Sequence, residues 1–182
     1  MSKQEIIKMF KNKLLHITAC TAMMMGATIT SYAQAEQVPI NGTVQSRCII
    51  QTDTAGVYGN PNAYTLTTNP ADGGVLAVTR IDVTLANAYY AEITAPSEFS
   101  SSPNLPDIVT WTGDTEVSAI SDAANMGTYE TDKVEYGMTD KYDLTATGST
   151  WFKTSSTATL GGNRAFPGGN YTALIEASCI AK

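Results

Sequence analysis

Apolar and polar side chains alternate with a period of two through most of the chain after residue 36, and no apolar period of helix length occurs there. Strict alternation marks a strand with one buried and one wetted face, because successive side chains on a strand point to opposite sides. The run VPINGTVQSRCIIQ (38–51) puts Val38, Ile40, Gly42, Val44, Ser46, Cys48 and Ile50 on one face, and Pro39, Asn41, Thr43, Gln45 and Arg47 on the other. TAGVYGNPNAY (54–64), punctuated by Gly56, Gly59, Asn60 and Pro61, is expected to be a loop. A second run aligns Val75, Ala77, Thr79, Ile81, Val83 and Leu85, and a third aligns Tyr89, Ala91, Ile93 and Ala95; Ala86 and Asn87 between them predict an antiparallel hairpin.

Shorter strands are expected at DIVTWTG (107–113), KVEYGMT (133–139), YDLTATG (142–148) and STWFKTSS (149–156). GGNRAFPGGN (161–170) imposes a turn before a closing strand whose two faces are Tyr171, Ala173, Ile175, Ala177 and Cys179 against Thr172, Leu174, Glu176, Ser178 and Ile180. Roughly seven or eight short strands between turn clusters predict an all-β, immunoglobulin-like antiparallel sandwich.

The start of the chain reads differently. Lys3, Lys8, Lys11 and Lys13 precede an uncharged, mostly apolar stretch (14–30) that ends in SYAQA, where Ala33 and Ala35 form the A-x-A pattern of a signal-peptidase site. Residues 1–35 are therefore expected to be a removed export signal, and residues 36–182 a single domain with one core. Cys20 is expected to leave with the signal rather than to serve as a lipid-attachment site, since only a short apolar core containing His16 would precede it. The stretch is too diluted with polar residues to be retained as a membrane span.

Composition narrows the chemistry. The formal net charge is −6 and becomes more negative once the four signal lysines are gone, which is the wrong sign for a nucleic-acid partner. The single histidine, His16, lies in the signal, so the remaining chain lacks the commonest general base and zinc ligand. The acidic groups GDTE (113–116), YETDKVE (129–135) and TDKYD (139–143) do not have the spacing of a calcium loop and are expected to be loop acids on a solvated face. Serine and threonine abound without an activating partner or a G-x-S-x-G elbow. The expectation is no catalytic site, no metal and no cofactor. Tyr58, Tyr64, Tyr89, Tyr90, Trp111 and Trp151 are candidates for a sugar-stacking surface or, more ordinarily, for packing. Asn41-Gly42-Thr43 and Asn170-Tyr171-Thr172 match the glycosylation sequon, a triplet that also occurs by chance. Cys48 and Cys179 remain as an even pair in an exported chain, each on the more apolar face of its strand, so a bridge between them is compatible with the alternation.

A signal peptide, INGTVQSRCII as an alternating first strand with a cysteine near its end, IDVTLANAYYAEITAP as the next strands, and a closing GGNYTALIEA together resemble the subunits of chaperone-usher fimbriae. The resemblance implies an incomplete immunoglobulin-like fold whose apolar groove is filled by a neighbouring subunit's N-terminal segment, a form of β-strand addition. It implies donor side chains Val38, Ile40 and Val44 with Gly42 at a close fit, and one groove wall made by Tyr171, Ala173, Ile175 and Ala177. It also implies neighbouring subunits, a periplasmic chaperone and an outer-membrane usher as partners, and a place at the cell surface in a fimbria that mediates adhesion or biofilm formation. The family's usual second cysteine is missing from LANAYY (85–90), which leaves Cys179 as the sole possible partner of Cys48 within the mature chain. The rival expectation is a monomeric secreted sandwich or one-domain adhesin that recognises carbohydrate or a host protein.

Overall fold

The computed structural model describes residues 45, 47–162 and 164–182, and within them the chain is built from ten strands. These are β1 (Cys48–Thr54), β2 (Gly59–Asn62), β3 (Thr65–Thr67), β4 (Ala77–Val83), β5 (Tyr89–Thr94), β6 (Val109–Ile120), β7 (Val134–Tyr136), β8 (Thr139–Leu144), β9 (Gly148–Leu160) and β10 (Glu176–Ala181), with an α-helical turn, α1 (Ala123–Met126), and a 3-10 turn at Pro70–Asp72. Asp122 caps α1 by accepting from the backbone N–H groups of Ala124 and Asn125.

Two antiparallel sheets result. In the first, the long β9 pairs along one side with β6 and along the other with β4 and then β3, while β1 and β2 lie at the edges beyond. The second runs β10-β5-β8-β7. The order β1-β4-β9-β6 follows the A-B-E-D order of an immunoglobulin-type sheet and β5 beside β10 its C-F pair, while β2 and β3, between β1 and β4 in the chain, and β7 and β8, between β6 and β9, are additions to that scheme. In that scheme the seventh strand, G, lies on the far side of F, which here is the free edge of β10.

The expected hairpin at Ala86 and Asn87 does not form. β4 pairs with β1 and β9, whereas β5 pairs with β10 and β8, so the connection carries the chain from one sheet to the other. Asn87 makes the corner in the left-handed region (φ 59°), which asparagine tolerates, and its N–H donates to Leu144 O at 3.1 Å. Alternation reports which face of a strand is buried; it does not say which strand lies beside it.

Three further boundaries differ from expectation. Residues 54–64, expected to be a loop, contain β2, which tolerates Pro61 because it is an edge strand with one side unpaired. β6 runs on from the expected end at Gly113 to Ile120, its buried parity continuing through Thr115 and Val117. The closing strand joins a ladder only from Glu176; before it, Thr172 bridges Ser101.

Between the sheets, Ile81 and Val83 of β4, Phe152 of β9, Ala91 and Ile93 of β5 and Tyr142 and Leu144 of β8 form the core, with Met126 and Tyr129 closing it. Phe152 and Tyr142 are fully buried with ring centroids 4.6 Å apart. β9 also turns Thr150, Thr154 and Ser156 inward, and each hydroxyl has a partner: Met126 Sδ, Thr115 Oγ1 and Tyr58 OH respectively. A second cluster, in which Phe99 meets Tyr58, Trp111, Phe166 and Tyr171, fills one end of the sandwich.

Candidate functional site: an open seam between two edge strands

The two sides of the sandwich are finished differently. On the β6 side, edge groups at Thr115 and Val117 that β9 does not use are taken up by side chains. Thr115 N–H donates to Asp140 Oδ2 at 2.8 Å, Thr115 O accepts from Tyr142 OH at 2.6 Å and Lys133 Nζ at 3.0 Å, and Val117 N–H donates to Glu130 Oε2 at 2.6 Å. Unpaired edges recruit other strands, and capping them with side chains blunts that tendency.

The acids of this cap are the ones expected to sit in solvated loops. Asp114 lies on β6, Asp140 lies on β8 and is buried, and Glu130 and Glu135 join them around one ammonium. Lys133 Nζ stands 3.1 Å from Asp114, 3.2 Å from Glu135, 3.3 Å from Glu130 and 3.9 Å from Asp140. Oxygens of Asp114, Glu135 and Asp140 lie within 4.8 Å of one another, and the lysine supplies the positive charge that such a group calls for. Burial alone would lower the Lys133 pKa, but the hydrogen bonds to Asp114 and Glu135 and the charges of Asp140 and Asp114 hold it above the ordinary lysine range. Burial pushes the Asp140 carboxyl up, against the Thr115 N–H and the Lys133 charge, which pull it down. Asp140 shares its parity on β8 with Tyr142 and Leu144, so an acid at a core position was readable in the sequence.

The opposite side has no such finish among the described residues. β1 pairs with β4 alone and β10 with β5 alone, so each presents one free edge, and the Cys48–Cys179 disulfide ties the two strands together. The bridge closes a loop of sequence separation 131, with Cα atoms 6.3 Å apart. In the chain-entropy model a loop of that size stabilises the fold by roughly 4–5 kcal/mol.

Beyond the bridge the inward side chains of the two edges are incompletely covered. Ile50 stands opposite Ile81 in the ladder; Ile81 is 1% exposed and Ile50 38%. On the other wall Ala177 pairs with Ile93 and Cys179 with Ala91, both of which are fully buried, yet Ala177, Ile175, Ala173 and Tyr171 are all half-exposed. Among the described residues, core packing is thus complete at β4 and β5 and partial at β1 and β10. At the end away from the bridge the seam widens into a cavity of about 530 Å³ whose walls include Gly56, Tyr58, Leu66, Phe166, Tyr171 and Ala173.

Of the four residues expected as one groove wall, Tyr171 and Ala173 line this cavity, and Ile175 and Ala177 are partly buried against the core, Ala177 within β10. The donor residues Val38, Ile40, Gly42 and Val44, like the expected signal segment with Cys20, lie outside the described residues. Ile50 as the facing wall and Tyr58 and Phe166 at the wide end were not singled out from the sequence. Four of the six aromatics considered as a sugar platform are spread over three places. Tyr58 and Trp111 belong to the Phe99 cluster, Trp151 lies under Arg80 on the outside of the first sheet (5.3 Å), and Tyr90 lies under Lys141 on the outside of the second (4.3 Å). Among the described residues no helix is long and apolar enough to cross a membrane.

The fold and seam define an all-β antiparallel sandwich with a cross-edge disulfide. No protein-family model, curated protein or solved structure matches the chain.

Proposed function

We propose that the protein is a structural subunit of a bacterial surface fimbria, polymerised by strand exchange: segment 36–44 of one copy completes the sandwich of the next at the seam between β1 and β10. The observation that carries this reading is the asymmetry of the edges. Four side chains cap β6 at Thr115 and Val117, while among the described residues β1 and β10 stay unpaired on the side where an immunoglobulin sandwich has its last strand.

An inserted strand would gain main-chain hydrogen bonds from both walls and bury alternate side chains against Ile50, Ile175 and Ala177. At roughly 3.3 Å per residue, segment 36–44 is long enough to run the length of residues 171–177. Val38, Ile40 and Val44 supply apolar side chains at the period the seam requires, with Gly42 where the fit is closest. Before assembly an unfilled seam needs cover, which is the role of a periplasmic chaperone, and an outer-membrane usher would add subunits to the fibre. Mature protein extracted without boiling is expected to run as a ladder of multimers, and deletion of residues 36–42 to leave monomers. A stable monomer from the intact mature chain expressed without a chaperone would contradict the proposal and favour a secreted binding module.

A further inference from the structure

The chain enters and leaves the sandwich at one place. Cys48 is the first residue of β1, Cys179 lies in β10 close to the last residue, Lys182, and their Cα atoms are 6.3 Å apart. All of β2 to β9 lies between them, within a sequence separation of 131.

That placement decides how the fold meets tension along the chain. β1 belongs to the first sheet and β10 to the second, so the line joining the two ends runs from sheet to sheet, across the strands. Among the described residues β1 is held by β4 alone and β10 by β5 alone, through antiparallel ladders whose hydrogen bonds are perpendicular to the strands. Drawing Arg47 and Lys182 apart therefore peels each edge strand from its outer end, one pair at a time. On β1 the first bonds met are Arg47 N–H to Thr84 Oγ1 at 2.8 Å and Thr84 N–H to Arg47 O at 3.1 Å, then the Cys48–Val83 pair. On β10 they are Lys182 N–H to Ala88 O at 3.0 Å, then the pairs Ala181–Tyr89 and Ile180–Tyr90. Hydrogen bonds taken singly resist little, because each is exchanged for one to water.

We infer that the Cys48–Cys179 bridge is a mechanical shunt: tension between the two chain ends runs from Arg47 through the disulfide to Ile180 in covalent bonds, and neither sheet is stretched. Position is what gives the bridge this effect. A bond from Cys48 to residues 85–90, where the resembling family has its second cysteine, would leave β5 to β10 open to the same pull. Forced unfolding is governed by the rate of crossing the unfolding barrier, so the shunt acts on lifetime under tension as well as on equilibrium stability. The inference goes beyond the fimbrial reading and stands without it; to that reading it adds a subunit that keeps its length when its ends are drawn apart.

Single-molecule stretching of the chain from residue 36 to residue 182, held by handles at its two ends, tests this. With the bridge intact only residues 36–47 and 180–182 extend, by at most about 55 Å, and no longer step is expected at any force the handles survive. Adding a phosphine reductant to molecules already tethered and folded should bring a further step of roughly 450 Å, as the bridged loop is released at about 3.3–3.6 Å per residue. The variant Cys48→Ser/Cys179→Ser, where circular dichroism shows it folded, should give the same long step without reductant. A step of that length in the oxidised, unaltered chain overturns the inference, because the sheets then carry the tension. So does a bridge-free chain, reduced or substituted, that keeps its folded length up to the force at which the handles fail, since the ladders would then resist unaided.

Discussion

Replacing Asp140 by alanine removes the acceptor of a buried backbone N–H. Thr115 is fully buried and its N–H donates 2.8 Å to Asp140 Oδ2, so after truncation that donor has neither its partner nor water. An unsatisfied buried donor costs roughly 1–3 kcal/mol, and Lys133 keeps Asp114, Glu130 and Glu135 in any case. For a domain of this size the melting temperature should fall by roughly 3–9 °C, and the urea midpoint should drop with an unchanged slope.

Asp140→Asn keeps a carbonyl oxygen in the same place and removes only the charge. Burial raises the Asp140 pKa, so the folded protein holds this proton more tightly than the unfolded chain. Its contribution to stability is greatest below the unfolded-state pKa, near 4, and declines as pH rises through the higher folded-state pKa. Asparagine escapes that decline, so Asp140→Asn should gain on the unaltered protein between about pH 4 and pH 7 and be neutral or better at pH 7. Urea titrations of both variants at the two pH values decide the matter. If Asn costs as much as Ala, the carboxylate acts through its charge and the edge-capping argument is wrong; if Ala costs nothing, Thr115 has another acceptor.

Phe152→Ala should cost roughly 3–5 kcal/mol in the same assay, because Phe152 is fully buried against Tyr142 and the cavity opens between the two sheets. Ala177→Asp puts a charge in the seam wall and should abolish the unboiled multimer ladder while leaving the far-ultraviolet circular dichroism unchanged; Ile108→Asp, at a position 81% exposed and off the seam, should leave both intact. Asp82 moves oppositely to Asp140: its hydrogen bond to Arg80 holds its carboxyl below the ordinary range, so the stability it adds is present above the unfolded-state pKa and is lost as pH falls. Asp82→Asn should accordingly flatten the acid side of the stability profile, read by urea midpoints from about pH 5 to pH 2. Mass spectrometry with thiol alkylation should find Cys48 and Cys179 protected until reduction, and reduction should cost roughly 2–5 kcal/mol.

The sequence by itself determined the strands and their inner faces. Ile81 and Val83, Ala91 and Ile93, and Cys179 with Ala177 all point where period-two alternation put them, because a buried face needs an unbroken run of apolar side chains at every second position. The all-β class followed, and so did the compatibility of a bridge between the first and last strands. Tertiary structure alone decided which strands are neighbours. The pair expected to form a hairpin around Asn87 instead spans the two sheets, because the same alternation serves a hairpin and a sheet-to-sheet crossing equally well.

It also decided what the acids do. Asp114, Glu130, Glu135 and Asp140 are scattered over three sequence segments and meet only because β6, β7 and β8 converge on Lys133. Edges are likewise a property of the assembled sheet: whether a strand's second row of N–H and C=O groups finds a partner depends on what lies beside it. That is why the capped edge at β6 and the open seam between β1 and β10 became visible only in three dimensions.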